Sequence, residues 1–96
     1  MRLRFTPRAL RQFTSIAEYI ARDDPSAAQR VGERIQRSCA LLTKFPNIGR
    51  EGVRAGTRER SAPGLPYIIV HRIAAGEIVI LGIYHSAQLR PGQLKL

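Results

Sequence analysis

The chain has 96 residues, 44% of them hydrophobic, enough for one sheet packed on one layer of helices and too few for a second core, so residues 1–96 are expected to form one domain. Its apolar runs fall short of the roughly 20 residues that a bilayer span needs, and Thr6-Pro7 breaks the N-terminus where a secretory leader carries its apolar stretch, so a cytoplasmic address without membrane partners is expected. The net charge is +9, and 14 of the 16 basic residues are arginine, a planar, permanent cation that points to an anionic partner, either nucleic acid or an acidic protein.

Arg2 to Phe5 alternates, with Leu3 and Phe5 on one side, as in a short half-buried strand. Thr6-Pro7 reads as a helix N-cap followed by proline at the first helical position, and Leu10, Phe13, Ile16, Ala17 and Ile20 carry a helical stripe to about Arg22. Asp24-Pro25 repeats that start, and Ala28, Val31, Ile35, Cys39, Leu42 and Phe45 continue a second stripe until Pro46 stops it. The two helices form an antiparallel hairpin. Pro46 to Gly56 has the proline, asparagine, glycine and mixed charge of a mobile connection, and is the loop expected to contact a partner. Thr57 to Ala62 is a short polar strand. After a Pro63-Gly64-Leu65-Pro66 turn, Tyr67 to Ile73 and Ile78 to Tyr84 form a hairpin around Ala75-Gly76, and the tail from Leu89 has no period. The expected class is α+β in the order β-α-α-β-β-β, with the helix hairpin on one face of a small, mainly antiparallel, twisted sheet.

Pairing Ala74 with Glu77 places Ile73 opposite Ile78, His71 opposite Ile80 and Ile69 opposite Gly82. One face then carries Tyr67, Ile69, His71, Ile73, Ile78, Ile80, Gly82 and Tyr84. The other carries Ile68, Val70, Arg72, Val79, Leu81, Ile83 and His85. Both faces are largely apolar and two helices cover only one, so a segment of another chain, or else the tail after Leu89, is expected over the second. The lone Cys39 reads as a small helix side chain, and with two histidines on predicted strands there is no metal-ligand spacing and no call for a cofactor.

The combination of Asp24-Pro25-Ser26-Ala27-Ala28, Phe45-Pro46-Asn47-Ile48-Gly49-Arg50, Gly56-Thr57-Arg58-Glu59, Tyr67-Ile68-Ile69-Val70-His71-Arg72 and Ile80-Leu81-Gly82-Ile83-Tyr84-His85 resembles RelE/ParE toxins over almost the whole chain. The resemblance implies the toxin half of a type II toxin–antitoxin pair, in a hetero-oligomer with a cognate antitoxin whose C-terminal segment wraps it. ParE-like members poison DNA gyrase, whereas RelE-like members cleave messenger RNA on the ribosome. Gly56-Thr57-Arg58-Glu59 with the hydrophobic last strand is closer to the ParE-like members, although Ser86-Ala87-Gln88 stands where these reach an arginine, here delayed to Arg90. That reading is non-enzymatic, with Arg50, Arg54, Arg58, Arg60 and Arg90 as target-binding residues. On the face that the resemblance assigns to antitoxin lie Ile68, Val70, Arg72, Leu81 and Ile83, joined by Arg30, Arg34 and Arg37 of the second helix. The last three are also readable as a solvated face with Arg30–Glu33 and Glu33–Arg37 pairs.

The alternative is an mRNA endoribonuclease using His85, Arg72 and Glu51, with Arg58 as a further cation. Cleavage needs a base, an acid and cations around the phosphate, and Tyr67 and Ile68 occupy the early third-strand positions where the resemblance implies arginine. A third reading is a toxin fold without activity that serves as a binding module. His71, mid-strand among isoleucines, reads as a buried, hydrogen-bonded core residue.

Overall fold

Both helix starts are built as the sequence implies. The computed structural model describes residues 1–87; Arg90 and the rest of the tail lie outside the described residues. Strand β1 (Arg2–Phe5) leads into helix α1 (Pro7–Ala21), whose first turn is capped by Thr6 Oγ1 accepting from the Ala9 amide at 3.1 Å. Helix α2 (Pro25–Leu41) is capped by Asp24, which accepts from the Ala27 amide at 3.0 Å. In each case proline occupies a first-turn position whose missing N–H needs no acceptor. Beyond Leu41 the chain tightens through amide-to-carbonyl bonds such as Thr43 to Ala40 and Lys44 to Leu41, and so reaches the Pro46 stop.

The strands form one five-stranded sheet, in the order β1-β5-β4-β3-β2. It comprises β2 (Arg50–Glu51), β3 (Arg58–Ser61), β4 (Tyr67–Ala74) and β5 (Glu77–His85), with β1 parallel to β5 and the other neighbours antiparallel. The expected α+β hairpin-on-sheet arrangement is present with one added strand. Arg50–Glu51, within the stretch whose composition marks a mobile connection, is paired to β3 through Arg50↔Glu59 and Glu51↔Arg58. Ile35, Cys39 and Leu42 of the helical arm pack with Ala9 against Ile69, Ile78, Ile80 and Ile83 to make the core.

The register corrects the expected division of the sheet faces. From Ala74↔Glu77 to His71↔Ile80 the strands pair as expected, but the next pair is Val70↔Gly82, then Ile69↔Ile83 and Tyr67↔His85. Leu81 is the extra residue of a β-bulge, and every side chain after it changes side. Ile83 therefore belongs to the helix-side core at 2% exposure, and His85 leaves the face of Arg72 for that of Tyr67, with which it makes an edge-on ring contact. Tyr84 joins Ile68, Val70 and Leu81 on the second face. Helix α1 fixes the bulge. The Thr6 amide donates to the Ile80 carbonyl at 3.0 Å, the Thr6 hydroxyl to the Leu81 carbonyl at 3.4 Å, and Gln12 Oε1 accepts the Ile83 amide at 2.9 Å. These groups serve the β5 edge where β1 has ended at Phe5. On this second face Ile68 and Val70 are buried, at 8% and 0% exposure, and Leu81 and Tyr84 are partly buried beside them.

The hairpin turn has one unfavourable residue. Ala75 and Gly76 have φ of 49° and 75°, both left-handed, as a two-residue turn between twisted strands requires. Left-handed backbone costs an alanine about 1–2 kcal/mol, and asparagine tolerates it better. Ala75→Asn is expected to stabilise the fold by about 0.5–1 kcal/mol, raising the melting temperature by about 4 °C in a thermal scan.

Candidate functional site

The connection from Pro46 to Thr57 is held by residues of β3 and β4. Glu59, only 4% exposed, accepts from Arg50 Nε and Nη2 at 3.3 and 3.1 Å through one carboxylate oxygen and from the Val53 amide at 3.1 Å through the other. One buried carboxylate thus ties down both β2 and the loop after it. Arg58 Nη2 donates to the Gly49 carbonyl at 2.9 Å, while Arg60 Nη1 donates to the Ser38 carbonyl at 3.2 Å, at the C-terminal end of α2. Arg58 and Arg60, two apart on β3, face the same side as His71 and Ile69, and both guanidinium groups bind backbone carbonyls. Sequence reasoning gave Glu59 no role. Its signal was an acidic residue alternating with two arginines in a short strand followed by an apolar one.

His71 completes the anchoring. Its Nε2 lies 2.8 Å from the Pro46 carbonyl, which only accepts, so the ring carries its proton there and Nδ1 is bare. Arg58 stands directly opposite in the β3–β4 register, and Arg58 Nε and His71 Nδ1 are buried polar atoms without a partner among the described residues. Burial holds the imidazole pKa below its ordinary 6.5; the Pro46 bond opposes this, and the Arg58 charge adds to it. In the unfolded chain the ring protonates normally. Stability is therefore expected to hold above about pH 6.5 and to fall as pH drops through that value, because the unfolded state binds the proton first. Urea unfolding at pH 7.5 and 5.5 checks this, with His71→Gln, which keeps a donor towards Pro46, expected to flatten the difference.

Two clefts flank this framework. The first, of about 440 Å³, is lined by Asn47, Glu51, Arg54, Thr57, Arg58, His71 and Arg72. It gathers Glu51 and Arg72 of the expected catalytic set with Arg54 and Arg58 of the expected target-binding set. Among the described residues the ion pairs are Arg4–Glu77 and Arg50–Glu59, so none of the three arginines in the cleft is neutralised by a carboxylate. The second cleft, of about 730 Å³, lies between α1 and the end of β5, and is lined by Arg8, Arg11, Gln12, Tyr19, Tyr67, Tyr84 and His85. His85 Nδ1 accepts the Ala87 amide at 3.1 Å, which places the ring proton on Nε2.

The structure does not bring the expected catalytic set together. Tyr67, the partner of His85, stands five residues along β4 from Arg72, about 17 Å at the rise of a strand. Glu51 lies beyond β3, in the cleft with Arg72. Arg8 and Arg11, beside His85, were not singled out from the sequence; they were legible as basic residues three apart on the start of α1.

On α2 the expected Glu33 ion pairs are replaced by other bonds. Gln29 donates to Glu33 at 3.3 Å, Arg30 donates to the Ser26 hydroxyl at 2.8 Å, and Arg34 donates to the Pro63 carbonyl, pinning the turn around Gly64. Arg37 has no ion-pair partner among the described residues. Cys39 is fully buried, and burial pushes its thiol up to about 12, so it is a packing residue and not a nucleophile. Among the described residues no group of three His, Cys, Asp or Glu side chains is placed to hold a metal ion, and no helix is long and apolar enough to cross a membrane.

Residues 3–90 match the family model for the ParE toxin of type II toxin–antitoxin systems, parDE. The chain is 42% identical over 90 residues to the Y4kP protein of Sinorhizobium fredii, covering 94% of this chain and 93% of that one. It is 34% identical over 85 residues to toxin RelE2 of Caulobacter vibrioides, covering 88% and 94%. A structure of the chromosomal ParDE toxin–antitoxin system from P. aeruginosa shares the fold with a TM-score of 0.79 at 24% identity, over 88% of this chain and 95% of that one. A strand and capped helix hairpin laid on a bulged mixed sheet, with a match running from the first strand into the tail, establish that the chain belongs to the ParE toxin family of type II toxin–antitoxin systems.

Proposed function

We propose that this toxin arrests growth by poisoning DNA gyrase in the cytoplasm and is held inactive by a cognate antitoxin. The observation that carries a binding mechanism over catalysis is the separation of His85 from Arg72 and Glu51, which divides the candidate acid–base groups between two clefts. A base, an acid and a phosphate-binding cation must meet within hydrogen-bond reach of one phosphate to cleave RNA. Among the described arginines around the loop, Arg54 and Arg72 are left to engage an anionic target, since Arg50, Arg58 and Arg60 are engaged in holding the loop and helix. Arg90 remains a proposed target contact in the tail. For the antitoxin, Arg30, Arg34 and Arg37 offer a cationic helix face, and Leu81 and Arg72 border the second sheet face. Ile83, now in the core, leaves that set.

The reading is tested by adding the purified chain to gyrase, ATP and supercoiled plasmid. Linear DNA accumulating after detergent and protease treatment, and abolished by antitoxin, is the expected result; unchanged supercoiling activity refutes it. Ribosome-dependent mRNA cleavage is favoured by one observation, the protonated Nε2 of His85 in the cleft with Arg8 and Arg11. Under the gyrase reading, His85→Ala is expected to leave growth arrest intact when circular dichroism shows the fold preserved. Loss of arrest in that folded variant supports the nuclease instead.

A further inference from the structure

We infer that the cleft between the Gly52–Thr57 loop and the end of β4 is a binding site for the phosphodiester backbone of nucleic acid, so that the toxin touches DNA directly. The inference extends the gyrase reading without depending on it, because binding to free DNA is measured in the absence of gyrase. Arg54 from the loop and Arg72 from β4 line one polar cleft beside Arg58 of β3, whose guanidinium is held by the Gly49 carbonyl, and none of the three has a carboxylate within ion-pair distance among the described residues. Like charges lining one cleft repel one another, and an anion bound among them relieves that repulsion.

The loop adds backbone donors. The Arg54 carbonyl accepts from both the Thr57 amide at 3.2 Å and the Thr57 hydroxyl at 2.7 Å, and the Gly52 amide donates to the Thr57 carbonyl at 2.8 Å. These bonds fix a tight turn in which Gly56 is left-handed, with φ of 80°. Ala55 and Gly56 also line the cleft, and their amides make no hydrogen bond among the described residues. A rigid turn with free successive N–H groups beside arginine is a concave anion site whose geometry exists before the ligand arrives. Open space surrounds Gly56 where a side chain would otherwise project, so a ligand oxygen approaches the backbone unhindered.

Glu51 lines the same cleft and carries the opposing charge. It limits affinity for phosphate, which gives the proposal a test whose sign differs from that of simple loss of function. Binding of a fluorescein-labelled 20-base-pair duplex is followed by anisotropy between 50 and 200 mM NaCl. Arg54→Ala/Arg72→Ala is expected to weaken binding at least tenfold and to reduce the salt slope by about 2, near one per lost phosphate contact. Glu51→Gln is expected to tighten binding severalfold. Arg22→Ala/Lys44→Ala, which removes the same charge away from the cleft, is expected to stay within about threefold, the loss that general electrostatic attraction alone imposes. In parallel, inorganic phosphate is titrated into 15N-labelled protein. Movement of the Ala55 and Gly56 amide signals, reversed in competition by the duplex, supports the site. Equal weakening by the two double variants, or no tightening with Glu51→Gln, overturns it in favour of diffuse attraction by a basic surface. Phosphate shifts that the duplex fails to reverse overturn it in favour of a small-anion site.

Discussion

Replacing Ile83 by aspartate is expected to unfold the protein at 25 °C, whereas Leu81→Asp is expected to leave a folded chain. Ile83 is 2% exposed and lies in the core with Ile69, Ile78 and Ile80, while Leu81 is half-buried on the second face beside Ile68 and Val70. Removing the isoleucine side chain costs about 2–5 kcal/mol, and setting an uncompensated carboxyl group in its place adds several more, which together exhaust the roughly 5–15 kcal/mol of a typical small domain. Leu81→Asp forfeits only partial burial, about 1–2 kcal/mol. Circular dichroism and urea melts of the two variants check this. In a register without the bulge both residues lie on the second face, so equal tolerance of the two substitutions contradicts the bulged pairing.

Glu59→Ala is expected to destabilise by about 2–3 kcal/mol and to lower the melting temperature by about 10–20 °C. The substitution leaves the Val53 amide without its acceptor and Arg50 without its counter-charge. The cost stays below the roughly 3–5 kcal/mol of a fully buried ion pair, because the Arg50 side chain is 73% exposed and rehydrates. Glu59→Gln retains an acceptor for one of the two partners and is expected to lose about half as much. Hydrogen exchange localises the effect: amides of Arg50 to Val53 are expected to lose protection well before those of β4. Uniform loss across the sheet contradicts the assignment of Glu59 to the loop.

The helices were legible because each start carries two local signals, an oxygen cap and a proline, and local chemistry is all that capping requires. The hairpin turn was legible for the same reason, and so was the pairing beside it from Ala74 to His71. The bulge was not. Leu81 has nothing in its own identity that breaks alternation; the break is supported by Thr6 and Gln12, some seventy residues earlier in the chain, which take hydrogen bonds of the β5 edge. Glycine at 82 is the one local trace, since a Cβ there would press on the ring of Tyr84. The misplacement of Ile83 and His85 follows from this single shift, and with it the false proximity of His85 to Arg72.

The same limit applies to the site. Composition identified arginine as the working chemistry, but gave no means of separating the arginines that hold the loop from those that face outwards. Arg50, Arg58 and Arg60 are committed by Glu59, Gly49 and Ser38, partners set by β3 pairing and by the close approach of α2. Arg54 and Arg72 differ from them only in what lies nearby, which is a tertiary property. His71, read as a buried and hydrogen-bonded core residue, is one, and its partner turned out to be the Pro46 carbonyl at the stop of the second helical arm.

The proposed action of this ParE-family toxin on DNA topology, and not on translation, is tested by pulse-labelling of DNA and protein synthesis in the first minutes after the chain is induced in bacteria without antitoxin. Thymidine incorporation is expected to fall first while amino-acid incorporation continues; translation falling first, or neither changing, rules the proposal out.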